Sequence, residues 1–178
     1  MSTITTERLI LRPFTEADAD KMFKSWTWDE RVSRYCRWHP HKSVEETQVL
    51  LNHYLQKAKN GFDFRWGIEL KSDGSLIGII DVVDFSHDNR IVNVGYNLAF
   101  EHWHKGYATE ALKSVIKHLF NNGVEKIIAE HHIDNPASGR VMEKCGMRFI
   151  KLSKTQAKFD SDTLCDVKVY EIIKTVEE

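Results

Sequence analysis

Apolar side chains recur along the chain in two periods, and the clearest run is helical. Ala108, Ala111, Leu112, Val115, Ile116 and Leu119 form one stripe, with Lys113, Lys117 and His118 off it. Residues 92–99 just upstream read as a strand, and the turn Trp103-His104-Lys105-Gly106-Tyr107-Ala108-Thr109 joins the two. Nearer the start, residues 8–13 alternate, with Leu9 and Leu11 on one face. Thr15 then N-caps a helix whose buried stripe is Ala19, Met22, Phe23 and Trp26. Residues 29–38, aromatic and basic, predict a short second helix or an irregular turn. Ser43-Val44-Glu45-Glu46 is a capping box. It opens a helix with Val44, Thr47, Leu51, Tyr54 and Ala58 on one face and a stop at Asn60-Gly61.

Strands follow over 64–70 and 76–85 around a hairpin turn at Ser72-Asp73-Gly74, and His87-Asp88-Asn89-Arg90 turns the chain into 92–99. The central helix ends at Asn122-Gly123, and 126–133 is a further strand. Asn135 N-caps a short helix with Pro136 in its first position, and Gly146 closes it. Residues 149–158 and 164–173 make a last hairpin around Asp160-Ser161-Asp162. This order predicts an α+β fold, a mixed, mostly antiparallel sheet of about seven strands with about four helices packed on its faces. There is no internal repeat or linker, so residues 1–178 are expected to form a single domain.

Composition narrows the function classes. The net charge is −1, with no basic block, which argues against direct nucleic-acid binding. No apolar run approaches membrane-spanning length, and Met1-Ser2-Thr3 leads into charged residues rather than a signal peptide. Cys36, Cys145 and Cys165 lack metal-like spacing and cannot all pair, so they read as reduced thiols of a cytoplasmic protein.

The strand–loop–helix of residues 92–119 carries the candidate chemistry. A helix's first turn leaves N–H groups without internal partners and concentrates positive charge. Gly106 and the small Ala108 leave room for a phosphate to reach those groups. An ordinary strand–helix connection would use the same glycine. The segment resembles the coenzyme-A pyrophosphate loop of the GCN5-related N-acetyltransferases (GNAT), Gln/Arg-x-x-Gly-x-Gly/Ala. Lys105-Gly106-Tyr107-Ala108-Thr109-Glu110-Ala111 is similar to the form in the RimJ/RimL-like, ribosomal-protein N-terminal acetyltransferase branch, as is Trp103 in the Gln/Arg place. His104 stands where that branch usually has glycine. Two further matches support the resemblance: residues 135–147, from Asn135 through Ser138 to Glu143-Lys144-Cys145-Gly146-Met147, and Arg8-Leu9-Ile10-Leu11-Arg12-Pro13.

The resemblance implies a splayed pair of central strands admitting the pantetheine arm of acetyl-CoA. No metal is expected, because His102-x-His104 fits a loop and no carboxylate or cysteine completes a tetrahedral set. The resemblance places the pyrophosphate on His104, Lys105, Gly106, Tyr107, Ala108 and Thr109, and main-chain contacts to pantetheine and acetyl carbonyl on Leu98, Ala99 and Phe100. Asn135 would offer its amide to the pantetheine while capping its helix. Ser138 would lie near the cofactor sulfur and assist the leaving thiolate, or bind only. Many GNAT enzymes have a tyrosine acid at the position of Met142, and methionine cannot donate a proton.

No general base announces itself. Alternation puts Glu130 and His131 on opposite faces of their strand, and Asp81 and Asp84 lie on a neighbouring one. Arg31, Arg34 and Arg37, three apart, read as a solvated helical face or as contacts for an acidic acceptor. Cys145, on the apolar stripe with Val141 and Met142, reads as core rather than as a nucleophile. The expected activity is transfer of acetyl from acetyl-CoA to a primary amine, by direct attack in a ternary complex. An α-amine of a protein, peptide or amino acid is the expected acceptor. The alternatives are a small amine such as a polyamine or antibiotic, or a non-catalytic acyl-CoA-binding module. A homodimer is common among relatives.

Overall fold

The computed structural model describes residues 2–59, 64–86, 88 and 90–175. One sheet runs through it, in the order β1-β2-β3-β4-β5-β6-β8-β7. Its strands are β1 (Ile4–Thr5), β2 (Leu9–Arg12), β3 (Arg65–Leu70), β4 (Leu76–Phe85), β5 (Ile91–Leu98), β6 (Lys126–His132), β7 (Arg148–Gln156) and β8 (Leu164–Ile173). Every neighbouring pair is antiparallel except β5 and β6. Eight strands stand where about seven are expected, because β1 is two residues long, too short to show a period.

The helices are α1 (Ala19–Met22), α2 (Glu30–Ser33), α3 (Val44–Lys59), α4 (Tyr107–Asn121) and α5 (Pro136–Lys144). A 3₁₀ turn (Glu16–Asp18) leads into α1, and a π turn (Phe23–Thr27) leads out of it. The expected stripe holds for Ala19, Met22 and Trp26, which are buried, while Phe23 is half-buried. At α3 the Ser43 hydroxyl faces the Glu46 N–H at 3.5 Å, but the Glu46 carboxylate accepts from Lys42 N–H instead of closing the box on Ser43. Because α2 ends at Ser33, Arg31, Arg34 and Arg37 do not share a helical face. Each finds an aromatic ring: Phe100, Tyr35 and Phe159, respectively. The expected stop at Asn60-Gly61, and His87 and Asn89 of the expected turn, lie outside the described residues. Lys158, expected at the end of a strand, belongs to the β7–β8 turn.

Two cores sandwich the sheet. On one side Ala111, Leu112, Val115, Ile116 and Leu119 of α4 pack on Val92, Val94 and Leu98 of β5 and Ile127 and Ala129 of β6. On the other, Met22, Trp26, Val32 and Leu51 pack on Leu76 and Ile79 of β4. A buried ion pair joins sheet to helix. Arg12 of β2 holds both carboxylate oxygens of Asp18, at 2.8 and 2.9 Å, and its Nε holds Glu69 at 2.7 Å. Burial pushes the Asp18 carboxyl up, but hydrogen bonds from Arg12 and from the Thr15 N–H outweigh it and hold the group below the usual carboxylate range.

A carboxylate held low stabilises the fold fully above its unfolded value of about 3.9, and that contribution is lost as pH falls through the folded value. Asp18→Asn should therefore cost about 3 kcal/mol at neutral pH, the low end for a broken buried pair because Arg12 keeps Glu69. In urea unfolding the gap to wild type should narrow below about pH 4. A gap that stays constant down to pH 3 would show that the ion pair contributes nothing.

Candidate active site

β5 and β6 part company inside the sheet. They pair only from Ile91↔Lys126 to Asn93↔Ile128. β5 nevertheless continues on β4 to Leu98↔Gly78, and β6 continues on β8 to His132↔Val167. Past Asn93 each strand is therefore bonded on its outer side only, and a V-shaped gap opens toward their C-terminal ends. Gly78 helps to draw the end of β5 toward β4, since a Cβ there would sit 2.3 Å from the Asn97 carbonyl oxygen.

Several main-chain groups at the mouth of the gap are already committed. Ala99 N–H donates to the Ile77 carbonyl at 2.8 Å, and the Trp103 indole donates to the Leu98 carbonyl at 2.8 Å. Antiparallel alternation then turns the Leu98 N–H away from β4, into the gap. Phe100 opens a 3₁₀ turn (Phe100–His102), its ring 40 % exposed under the Arg31 guanidinium.

The loop closing the gap reaches α4 through two left-handed residues. His104 has φ 60 and Gly106 has φ 83. His104 thus takes the conformation glycine adopts freely, at some cost in strain. Gly106 is the N-cap of α4 and offers no side chain to the helix, so the first-turn N–H groups of Tyr107, Ala108 and Thr109 are left for an outside acceptor. That arrangement fits a diphosphate. Arg8 braces the loop from behind. Its guanidinium holds Glu110 at 2.7 Å and the Lys105 carbonyl at 3.0 Å, and it lies over the Tyr107 ring.

α5 forms the other lip. The Asn135 side chain caps it, accepting from Ser138 N–H at 3.4 Å. Ser138 meets a residue that the sequence reading passed over. Tyr96, on the α4–α5 face of β5, places its hydroxyl 2.9 Å from both the carbonyl and the Oγ of Ser138. Met142 is core, 1 % exposed.

The opposite face of the gap is lined differently. Gly95 and Asn97 face away from Tyr96, with Asp81 beside Gly95. Asp81 is bound by Arg65 at 2.9 Å, and the Asn97 Oδ1 is buried without a partner among the described residues. Burial pushes the Asp81 carboxyl up, against the pull of Arg65. Glu130 and His132 share this face, His132 against the Tyr35 ring. His131 lies on the other face. Its Nδ1–H donates to the His132 carbonyl, and burial holds its pKa down, so the ring is neutral. Asp84 is exposed, its side chain accepting from the Phe85 N–H. A wall over this face is fastened by Lys158, whose ammonium donates to the carbonyls of Ser33, Cys36 and Trp38 at 2.8, 2.8 and 3.0 Å. Cys145 is buried behind α4, its thiol pushed up to about 11, which suits packing and not attack.

Residues 8–148 match the family model described as Acetyltransferase (GNAT) domain. This chain belongs to the GNAT family. The GNAT chain is 31 % identical over 175 residues to the uncharacterized N-acetyltransferase YoaA of Bacillus subtilis, covering 98 % of each. It is 28 % identical over 130 residues to the ribosomal-protein-serine acetyltransferase of Escherichia coli, covering 72 % of this chain and 71 % of that one. Its fold superposes on RimL, a ribosomal α-N-protein acetyltransferase solved with coenzyme A. The TM-score is 0.84 at 19 % identity, over 97 % of this chain and 98 % of that one. The chain is an acetyl-CoA-dependent N-acetyltransferase with the mixed α+β fold of its family. Among the described residues no three His, Cys, Asp or Glu side chains converge as metal ligands, and no helix is long and apolar enough to cross a membrane.

In this GNAT fold the seat of α5 on β6 depends on one missing side chain. A Cβ on Gly139 would lie 2.5 Å from His131 Nε2. Gly139→Ala gains up to about 1 kcal/mol of helix propensity but overpacks this contact, which typically costs about 1–3. A net loss of about 1 kcal/mol is expected in urea unfolding, and the loss should disappear in a His131→Ala background. A stabilised single variant would contradict the contact.

Proposed function

We propose that this enzyme acetylates α-amines, at the N-terminus of a protein or peptide or on an amino acid, by direct attack of the amine on acetyl-CoA. The donor enters through the β5–β6 gap on the α4–α5 side. His104, Lys105, Gly106, Tyr107, Ala108 and Thr109 cradle its pyrophosphate, and Leu98, Ala99 and Phe100 line the path of its pantetheine and acetyl group. Asn135 borders the pantetheine and Ser138 the sulfur. The amine approaches from the face of Gly95 and Asn97, between the α2–α3 connection and the β7–β8 turn. The cytoplasm, with its reduced thiols and acetyl-CoA, is the setting that fits.

One observation carries the choice of acceptor: no strong base stands on the amine's side of the gap among the described residues. Asp81 is held by Arg65, the basic Nε2 of His131 is buried against Gly139 of α5 on the cofactor side, His132 Nδ1 accepts from the Asp134 N–H, and Glu130 is a carboxylate, a weak base by kind. Deprotonating a lysine-type amine, pKa about 10.4, at pH 7 costs roughly 4–5 kcal/mol, whereas an α-amine of about 7.7–8.0 costs near 1.4. A site without a strong, free base favours the second, water carrying the proton from nitrogen to solvent. The Asn97 Oδ1, a buried acceptor without a partner among the described residues, suits an N–H of the incoming amine. The kinship with the Escherichia coli ribosomal-protein-serine acetyltransferase supports the same class.

Two matched peptides test this, one with a free N-terminus and no lysine, the other N-blocked with one lysine. Free thiol released from acetyl-CoA is followed against pH. The free-N-terminus peptide should have a kcat/KM at least about tenfold higher near neutral pH, the gap closing as pH rises toward the lysine pKa. Preference for the lysine peptide at pH 7 would overturn the assignment.

A further inference from the structure

Tyr96 is the only polar side chain in the row Val92, Val94, Tyr96, Leu98 that β5 presents to α4 and α5. Placing a phenol there instead of another aliphatic residue costs desolvation unless its hydroxyl is used. It is used on a single residue. The hydroxyl lies 2.9 Å from the Ser138 carbonyl and 2.9 Å from Ser138 Oγ.

A phenol has one proton, so the two contacts are alternatives for it. With the Tyr96 proton on the carbonyl, Ser138 Oγ–H points back at Tyr96 and has nothing left to give. With the Tyr96 proton on Ser138 Oγ, the serine proton is free to point into the gap. The two states interchange by turning two hydroxyl groups, with no heavy atom moving. An anion in front of Ser138 favours the second state, because it takes up the freed donor.

We propose that Tyr96 is a positioning residue that sets Ser138 to donate its hydroxyl proton in a hydrogen bond to the thiolate leaving acetyl-CoA. This rests on the reading that the donor's sulfur lies at Ser138. In the step the amine nitrogen forms its bond to the acetyl carbon and the C–S bond breaks, its electron pair going to sulfur. The ammonium proton goes to water, Ser138 Oγ–H turns to the sulfur, and Tyr96 Oη–H turns to Oγ. The thiolate is later protonated from solvent. Tyr96 keeps its own proton throughout, in keeping with burial, which pushes its phenol well above the ordinary value against the pull of the Ser138 bond.

The test needs no acceptor. Coenzyme A is bound to wild type, Tyr96→Phe, Ser138→Ala and the double variant, and its thiol is titrated through thiolate absorbance near 240 nm. Tyr96→Phe keeps the ring, and thermal unfolding confirms that each variant folds. In wild type the bound thiol should titrate below the usual value of about 8.5. Ser138→Ala should raise it by roughly one unit and Tyr96→Phe by roughly half a unit. The double variant should match Ser138→Ala, because Tyr96 acts only through Oγ. With acetyl-CoA, each single variant should lower kcat with KM for acetyl-CoA unchanged. A wild-type titration in Tyr96→Phe, or a double variant above Ser138→Ala, would overturn the role of Tyr96 alone. A wild-type titration in Ser138→Ala would overturn the placement of the sulfur, and the present inference with it.

Discussion

The parting of β5 from β6 is the constraint on which the rest of the molecule depends. A sheet gains by pairing every strand on both sides, and here two central strands give up that pairing beyond Asn93 and Ile128. Each is held by its outer neighbour, β4 or β8, and by apolar side chains that pack on α4 and α5. The inner main-chain groups are left to a ligand or to water. The gap joins the two faces of the sheet, so in the proposed reaction a thioester entering from one side would meet an amine entering from the other. Nucleophile and leaving group then have separate surroundings, and neither must pass the other. This geometry supports the proposed direct transfer, and the buried Cys145, its thiol pushed up to about 11, is ill suited to act as a nucleophile.

The loop after β5 gives that gap its proposed anion site. The chain must leave the sheet and start α4 with its N–H groups facing the opening, and it does so through His104 and Gly106 in left-handed conformations. Non-glycine residues there cost on the order of 1–2 kcal/mol, so His104 is strained where glycine would not be. Trp103 on the Leu98 carbonyl and Arg8 on the Lys105 carbonyl hold the loop at both ends. The Trp103 contact is local, but Arg8 comes from the β1–β2 turn at one edge of the sheet. The first residues of the chain thus help to shape a turn about a hundred positions on.

Most of the frame was legible because it is written in local patterns. The stripe of α4 and the alternation of Leu9 and Leu11 are period signals, and both hold. Asn135 before Pro136 reads as a helix start and is one. What escaped the sequence depends on distance or length. β1 is too short to have a period, and α2 stops at Ser33, which breaks the apparent arginine face. Lys158 reads as one more strand lysine, yet it is spent on three carbonyls of a segment some 120 residues earlier. Tyr96 carries no signal of its own, since its neighbours at spacing two are aliphatic. Only the fold shows that its hydroxyl meets Ser138, 42 residues away.

The central claim is that the bare N-terminus of α4 binds the donor's phosphates, and calorimetry on Gly106→Val tests it most directly. A valine side chain would resist a φ of 83, and its Cβ would lie 3.4 Å from the Arg8 guanidinium that braces the loop, so the turn that presents the first-turn N–H groups would be lost. Titrated with coenzyme A, the folded variant should bind at least about a hundredfold more weakly than wild type, while pantetheine, which lacks the pyrophosphate, should bind both alike. Unchanged affinity for coenzyme A would remove this loop from the site and contradict the account.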